Sequence, residues 1–170
     1  MNMEFIQYGL GRWLHIMAGV MWIGLLYYFN FVQADAAKKA AADNPPTGAG
    51  ITKHVLPRAL FFFRWAALVT VVAGAMLLGD KIDEALFFKE RAYMPIGVGA
   101  WLGLIMFFNV WVIIWPNQKK VLGLTPASDE EKNKARRMAF LASRLNTALS
   151  MPMLFFMIAS GGIFRRAFFG

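Results

Sequence analysis

With 170 residues, of which 58% are hydrophobic and 16% charged, the chain has too few charged side chains to cover a soluble domain, so we expect apolar surface to face lipid. The absence of cysteine excludes disulfides, iron–sulfur clusters, thiolate zinc sites and covalent attachment of c-type haem, and two histidines are too few for a cytochrome with two bis-histidine haems. The net charge of +8 is typical of cytoplasmic loops that meet anionic headgroups, and we expect no binding of nucleic acid.

Four apolar runs are long enough to cross the hydrocarbon core of a lipid bilayer, which takes about 20 residues. The predicted spans cover residues 10–34, 57–79, 93–117 and 138–164. Away from the ends of the spans, the permanently charged side chains are Arg64 in the second span and Arg144 in the fourth. We therefore predict an all-α fold, an integral membrane four-helix bundle in which residues 1–170 form a single domain.

The segments between the spans have the composition of connections. The first, DAAKKAAADNPPTGAG, is polar and Ala-rich and is broken by Asn-Pro-Pro, which predicts a linker. The second, GDKIDEALFFKERAY, is typical of a short amphipathic piece at the membrane interface. In the third, Ser128 and Glu131 have the spacing of a capping box, so we expect the fourth helix to begin in water and run into the membrane.

Basic residues are divided unequally between the two sides of the predicted bundle. Of the 18 lysines and arginines, 12 lie on the side of the first and third connections. The other side, with both termini, holds Arg12, Lys81, Lys89, Arg91, Arg165 and Arg166. The positive-inside rule then places both termini outside, in the periplasm. We expect a multi-pass protein of the bacterial inner (cytoplasmic) membrane, surrounded by the lipid bilayer.

His15 lies inside the first span, one helical turn after Arg12. Its helical face includes Gly11, Ala18 and Gly19, which are small enough for a bulky group or another backbone to lie beside it. One interpretation makes His15 the axial ligand to the iron of haem b, with Arg12 placed for a propionate. The alternative is a core histidine that is hydrogen-bonded to a carbonyl or hydroxyl group of a neighbouring helix.

Glycines on the other spans lie at a depth similar to that of His15. They either leave room for a flat macrocycle or let the helices pack closely. These residues are Gly74, Gly79, Gly97, Gly99, Gly161 and Gly162. The second histidine, His54, opens the second span on the opposite side, about 25 Å away, so we do not expect the two histidines to share one iron.

Polar and methionine side chains recur every three or four residues along the fourth span, which predicts a face directed into the bundle. They are Ser143, Asn146, Ser150, Met153, Met157 and Ser160. Met153 or Met157 is a candidate second axial ligand, since Met/His ligation raises the reduction potential of a haem. The alternative is that these methionines fill gaps in the core.

A second polar layer is expected near the cytoplasmic ends of the spans. Arg64 and Arg144 lie five or six residues inside their apolar runs, and Asn109 and Asn30 approach the same depth. Two guanidinium and two amide groups suit a planar anion, a haem propionate or a lipid phosphate. The alternative is that the arginines extend to the lipid headgroups.

Three segments together resemble the membrane domain of bacterial cytochrome-c-linked urate oxidases. They are WLHIMAGVMWIGLLYYFNFVQ, FNVWVIIWPNQKKVLG and SRLNTALSMPMLFFM. The segment FFFRWAALVTVVAG in the second span is compatible with this resemblance. The first span is also loosely similar to the four-helix membrane protoporphyrinogen oxidases. That similarity implies a haem held by the first-helix histidine, which is His15 here.

The resemblance to urate oxidases implies oxidation of urate at the membrane domain and transfer of electrons to a fused cytochrome c outside the membrane. Because these 170 residues contain no cysteine for a c-type haem, we expect a separate periplasmic cytochrome c as the acceptor. The expected function is a haem-b-binding redox or electron-transfer module. The alternative is a non-catalytic accessory subunit that packs against other subunits of a larger respiratory or photosynthetic membrane complex.

Overall fold

The computed structural model describes residues 4–162 and residue 166. Four of its helices are long and apolar enough to cross a membrane, so the prediction of an all-α chain with four long apolar helices is confirmed. Residues 163 and 164 at the end of the predicted fourth span, and Arg165 from the charge count, lie outside the described residues.

The four long helices correspond to the predicted spans, and one short helix lies between the second and the third. They are α1 (Phe5–Ala42), α2 (Leu56–Leu78), α3 (Ile82–Leu86), α4 (Arg91–Val121) and α5 (Asp129–Ala159). A π-helical turn, Ile51–Val55, leads into α2. Gly79 ends α2 with a φ of +53°, a conformation that costs glycine little because it has no Cβ.

The helix of the first span continues well beyond residue 34, into the segment that the sequence predicts as a linker. Alanine has the highest helix propensity, and Lys39 pairs with Asp35 one turn earlier at 2.8 Å, so this stretch remains helical. The helix ends at Ala42, and Asp43 has an extended ψ of 155°. Pro45 favours extended backbone at the residue before it, which limits further growth of the helix.

The predicted capping box at the start of α5 is confirmed. The Glu131 backbone N–H donates to the Ser128 hydroxyl at 3.2 Å, and the Ser128 N–H donates to the Glu131 carboxylate at 2.8 Å. At the Glu131 carboxylate, the hydrogen bond from the Ser128 backbone N–H, followed by that from the Ser128 side chain, lowers the pKa of Glu131. The motif fixes where the last span begins.

The bundle is assembled from two helix pairs, with α1 against α2 and α4 against α5. A hydrophobic core joins the pairs and draws one or more large side chains from each long helix, among them Trp22, Leu26, Phe63, Met106 and Met153. Much of the remaining apolar surface is exposed, as a lipid-facing surface would be.

The helices also approach one another closely at glycines. At Gly97 on α4, a Cβ atom would lie only 2.1 Å from the carbonyl oxygen of Ala85, so α3 packs directly on the α4 backbone. At Gly99, a Cβ atom would lie 3.4 Å from both Cγ and Cε of Met157 on α5. The small residues at these two positions therefore serve close packing, one of the two uses expected from the sequence.

Candidate functional site

His15 faces α2 from the N-terminal half of α1. Its Nδ1 lies 2.8 Å from the backbone carbonyl oxygen of Thr70. Because a carbonyl oxygen only accepts, Nδ1 carries the proton, and in the neutral ring Nε2 keeps its lone pair. Within the part of the chain that the structure describes, Nε2 has no hydrogen-bond partner. The imidazole is thus oriented by one nitrogen and keeps the other available.

The space around His15 is created by glycines at the contact between α1 and α2. A Cβ atom at Gly74 would lie 3.0 Å from Cε1 and 3.1 Å from Nδ1 of His15. A Cβ atom at Gly19 would lie 3.8 Å from the Thr70 methyl group. The two glycines therefore accommodate the imidazole and the threonine.

Arg12 lies one helical turn before His15 and is exposed. The described ion pairs involve other residues, so no carboxylate in residues 4–162 neutralises this guanidinium group. Its position near the N-terminal end of α1 leaves it on the surface.

The two candidate methionine ligands lie in a different part of the bundle. Met153 belongs to the hydrophobic core and is 5% exposed, and Met157 packs against Gly99 of α4. The described contacts of His15 are with α2 instead. Met153 thus lies in the core and Met157 packs against α4, as gap-filling methionines do, and ligation of a haem by either residue stays a prediction.

The polar half of the α5 face points into the bundle, as the three-and-four spacing predicts. Ser150 is fully buried, and its hydroxyl donates to the Thr147 carbonyl oxygen at 2.7 Å. The Tyr27 hydroxyl on α1, 2.9 Å from the Ser150 oxygen, is therefore the donor in that pair. Sequence reasoning missed Tyr27, although it lies one turn before Asn30 on the same helical face.

Asn30 continues this contact between α1 and α5. Its side-chain amide donates to the Leu26 carbonyl oxygen and to the Ser143 hydroxyl, both at 2.8 Å. The two amide hydrogens are thereby used, while the buried Oδ1 has no partner among the described residues. Asn30 lies in a π-helical stretch, Tyr28–Gln33, where the helix is locally wider.

Asn109 makes the corresponding contact between α4 and α5. Its amide donates to the Asn146 side-chain oxygen at 2.8 Å, and the Asn146 amide donates to the Met106 carbonyl oxygen at 3.0 Å. Asn109 also opens a π-helical stretch, Asn109–Ile114. The two predicted asparagines are therefore engaged in joining helices.

The two arginines of the predicted anion site have different surroundings. The guanidinium carbon of Arg64 lies 3.8 Å from the centroid of the Trp115 ring on α4 and 5.4 Å from that of Phe61. Arg144 is exposed and lies 5.7 Å from the ring of Phe140 on its own helix. The described contacts thus bring Arg64 to α4 and leave Arg144 along α5.

Two buried indole N–H groups in the spans, those of Trp22 and Trp111, have no partner among the described residues. Sequence reasoning did not identify them, because burial of a single ring nitrogen depends on how neighbouring helices are rotated.

A groove of about 620 Å³ lies where α2 begins and α4 ends, and Thr52, Lys53, Pro57 and Leu122 are among its lining residues.

Residues 4–162 and 166 bring together no group of three or more side chains of the His, Asp and Glu types that could hold a metal ion. A haem iron needs only one or two protein ligands, since its macrocycle supplies the others. His15, with one nitrogen tied and one available, fits such a single axial position.

The model of the family described as Urate oxidase N-terminal matches residues 81–161, just under half of the chain. The match includes all of α4 and α5, with Asn109, Arg144, Met153 and Met157, while Arg12, His15, Asn30 and Arg64 precede it. No curated protein and no solved structure matches the chain. The resemblance predicted from the sequence is thus confirmed over the third and fourth spans, and residues 81–161 are similar to the Urate oxidase N-terminal family.

Proposed function

We propose that this chain is a membrane redox module in which His15 supplies the axial nitrogen to haem b and a separate periplasmic cytochrome c accepts the electrons. One observation carries the proposal: the Nδ1–H of His15 is held by the Thr70 carbonyl oxygen, and Nε2 is left with its lone pair. Histidines that ligate metals almost always donate their other N–H to a carbonyl or carboxylate in this way.

The surroundings of the ring agree with this role. Gly74 and Gly19 allow α1 and α2 to hold the imidazole in one orientation. Arg12, one turn nearer the outer end of α1, is exposed and without a described carboxylate partner, which suits a propionate. Haem b, when bound, would supply one-electron chemistry through its iron. The chain itself contributes the oriented nitrogen and the cation.

The haem proposal is tested by the reduced-minus-oxidised absorption spectrum of the purified protein. We expect a Soret band and an α-band that are lost in His15→Ala and kept in His54→Ala, since His54 is exposed in the turn before α2. A wild-type protein that stays colourless when expressed with ample haem contradicts the proposal. Absorption bands that persist in His15→Ala would show that another residue ligates the haem iron.

Urate is the first substrate to test, because the family that matches residues 81–161 is described as Urate oxidase N-terminal. The test is reduction of the bound haem when urate is added without oxygen. A soluble cytochrome c is then added as the acceptor, and its reduction is measured. The variants Arg64→Ala and Arg144→Ala then show whether either arginine binds the urate anion. Unchanged reduction in both variants excludes them from the substrate site.

A second candidate function is that of an accessory subunit of a larger membrane complex, and the outer half of α1 favours it. The most apolar stretch of this helix is 22% buried, against 33% for the other three long helices. Trp13, Met17 and Val20, spaced along one helical face, are 61%, 51% and 64% exposed. Co-purification with a larger assembly in mild detergent supports this function, and a lone haem-loaded protein contradicts it.

A further inference from the structure

We propose that the seam between α2 and α4 binds an anionic phospholipid, with its headgroup between Arg64 and Lys53. The site is separate from His15 and does not depend on the haem proposal. It rests on an unpaired cation inside a span, on a groove about two helical turns farther along the same seam, and on the sign of the charges around both.

The charge of Arg64 has no counter-ion in the described part of the chain. The described ion pairs all involve other residues, and the described neighbours of the Arg64 guanidinium group are the aromatic rings of Trp115 and Phe61. Its five N–H groups can only donate. A charged side chain within a span is costly unless it pairs or reaches the membrane interface, so a group outside the chain is expected to accept these hydrogen bonds.

The contact with Trp115 fixes where Arg64 can act. At 3.8 Å from the ring centroid, the guanidinium group lies against the indole, which covers one side of it. Long side chains on a helix point toward its N-terminus. For Arg64 that direction leads toward the start of α2, the end that carries Lys53.

The groove continues the same seam toward this end. Pro57 lines it and lies seven residues before Arg64 on one face of α2, and Leu122 lines it and lies seven residues after Trp115 on α4. The contact and the groove are therefore about two turns apart, roughly 10 Å along the helices. Lys53 and Thr52 provide polar lining, while Pro57 and Leu122 provide apolar lining.

The charges along the seam select an anion. Residues 51–64 and 111–124, which form its two sides, contain five basic residues and no acidic one. The basic residues are Lys53, Arg58, Arg64, Lys119 and Lys120. A phosphate diester bearing two acyl chains matches this arrangement, because its headgroup meets the cations and its chains lie along the exposed rings of Phe61 and Trp65.

The test is native mass spectrometry of the full chain in mild detergent, with phosphatidylglycerol as the probe lipid and phosphatidylcholine in a parallel titration. We expect preferential binding of one phosphatidylglycerol, weakened at least tenfold in Arg64→Gln, since a hydrogen bond to a charged group contributes about that factor. Lys53→Gln, in an exposed turn where folding is not at risk, should weaken the same binding. Arg64→Lys should recover it in part.

Arg144→Gln is the matched control, because Arg144 is also an arginine within a span but its described ring contact is on its own helix. This variant should bind phosphatidylglycerol like the wild type. An equal loss of phosphatidylglycerol binding in Arg64→Gln and Arg144→Gln would overturn the proposal and indicate non-specific attraction to the net positive charge. Binding of phosphatidylcholine equal to that of phosphatidylglycerol would also overturn it. Competition by millimolar inorganic phosphate would indicate a site for a free anion, and cross-linking of position 64 to another polypeptide in the native membrane would indicate a protein partner. Each of these outcomes would also overturn the lipid assignment.

Discussion

The imidazole of His15 occupies the place that a side chain at Gly74 would need. A Cβ atom there would lie 3.0 Å from Cε1 and 3.1 Å from Nδ1 of the histidine, closer than such contacts normally are. The same nitrogen donates to the Thr70 carbonyl oxygen, one turn earlier on α2. Position 74 therefore controls both the fit of the ring and its hydrogen bond.

Gly74→Ala is expected to displace the imidazole and weaken its bond to Thr70. Overpacking of this kind costs about 1–3 kcal/mol, so thermal unfolding in detergent should occur at a lower temperature. The haem spectrum of the proposed holoprotein should shift or diminish as well. Gly24→Ala on α1 is the control, because its Cβ would meet nothing within 4 Å, and alanine should there be neutral or stabilising. Equal behaviour of the two variants would contradict the assignment of Gly74.

The depth of a residue in the bundle could be predicted from the sequence, but the rotation of the helices could not. Counting residues along each span places His15 near the outer face and Arg64 near the opposite one. Whether the imidazole meets a carbonyl group of α2, or Arg64 meets Trp115, depends on which faces of two helices turn toward each other. The sequence therefore leaves both alternatives for His15 open. The structure shows the hydrogen bond to a carbonyl oxygen of a neighbouring helix, and ligation of haem stays a prediction.

Asn146 should be the most sensitive polar residue of the core. It is fully buried, accepts from the Asn109 amide and donates to the Met106 carbonyl oxygen, so Asn146→Leu removes both hydrogen bonds to α4 and leaves the buried Asn109 amide without this acceptor. Hydrogen bonds between membrane helices contribute about 0.6–2 kcal/mol, and a loss of this size should appear in unfolding by sodium dodecyl sulfate. Asn133→Leu, at an exposed position of the same helix, should change little.

The ends of the helices were predicted from the sequence in one case and not in another. The capping box of α5 was predictable because both partners lie within four residues and act through local hydrogen bonds. The extension of α1 to Ala42 differs from the predicted linker because the helix propensity of the alanines, together with the pair of Asp35 and Lys39, outweighs the polarity of the segment. Both helix ends therefore depend on interactions between residues close together in the sequence.

The capping box should make the stability of the α5 start depend on acidity. Hydrogen bonds from Ser128 lower the pKa of Glu131 below its ordinary value of 4.5, so the folded state favours the carboxylate. The resulting stabilisation is present above the unfolded pKa of about 4.5 and is lost as the pH falls through the lower folded value. Thermal unfolding of wild type and Glu131→Gln, compared from pH 7 down to pH 3, should converge at the acidic end. A constant difference over that range would contradict the assignment.

Substitution of Met157 distinguishes most clearly whether a methionine of α5 fills space in the core or ligates the haem iron. Its Cγ and Cε lie 3.4 Å from the position of a Cβ at Gly99, so it fills a narrow space between α4 and α5, whereas the described contacts of His15 are with α2. Met157→Leu keeps the apolar volume and should cost less than about 1.5 kcal/mol. If haem is bound, its reduced spectrum and its midpoint potential should stay those of the wild type, because leucine removes only the sulfur. A drop in potential with loss of a methionine-type spectrum would instead make Met157 the second axial ligand and require α5 to approach the outer half of α1.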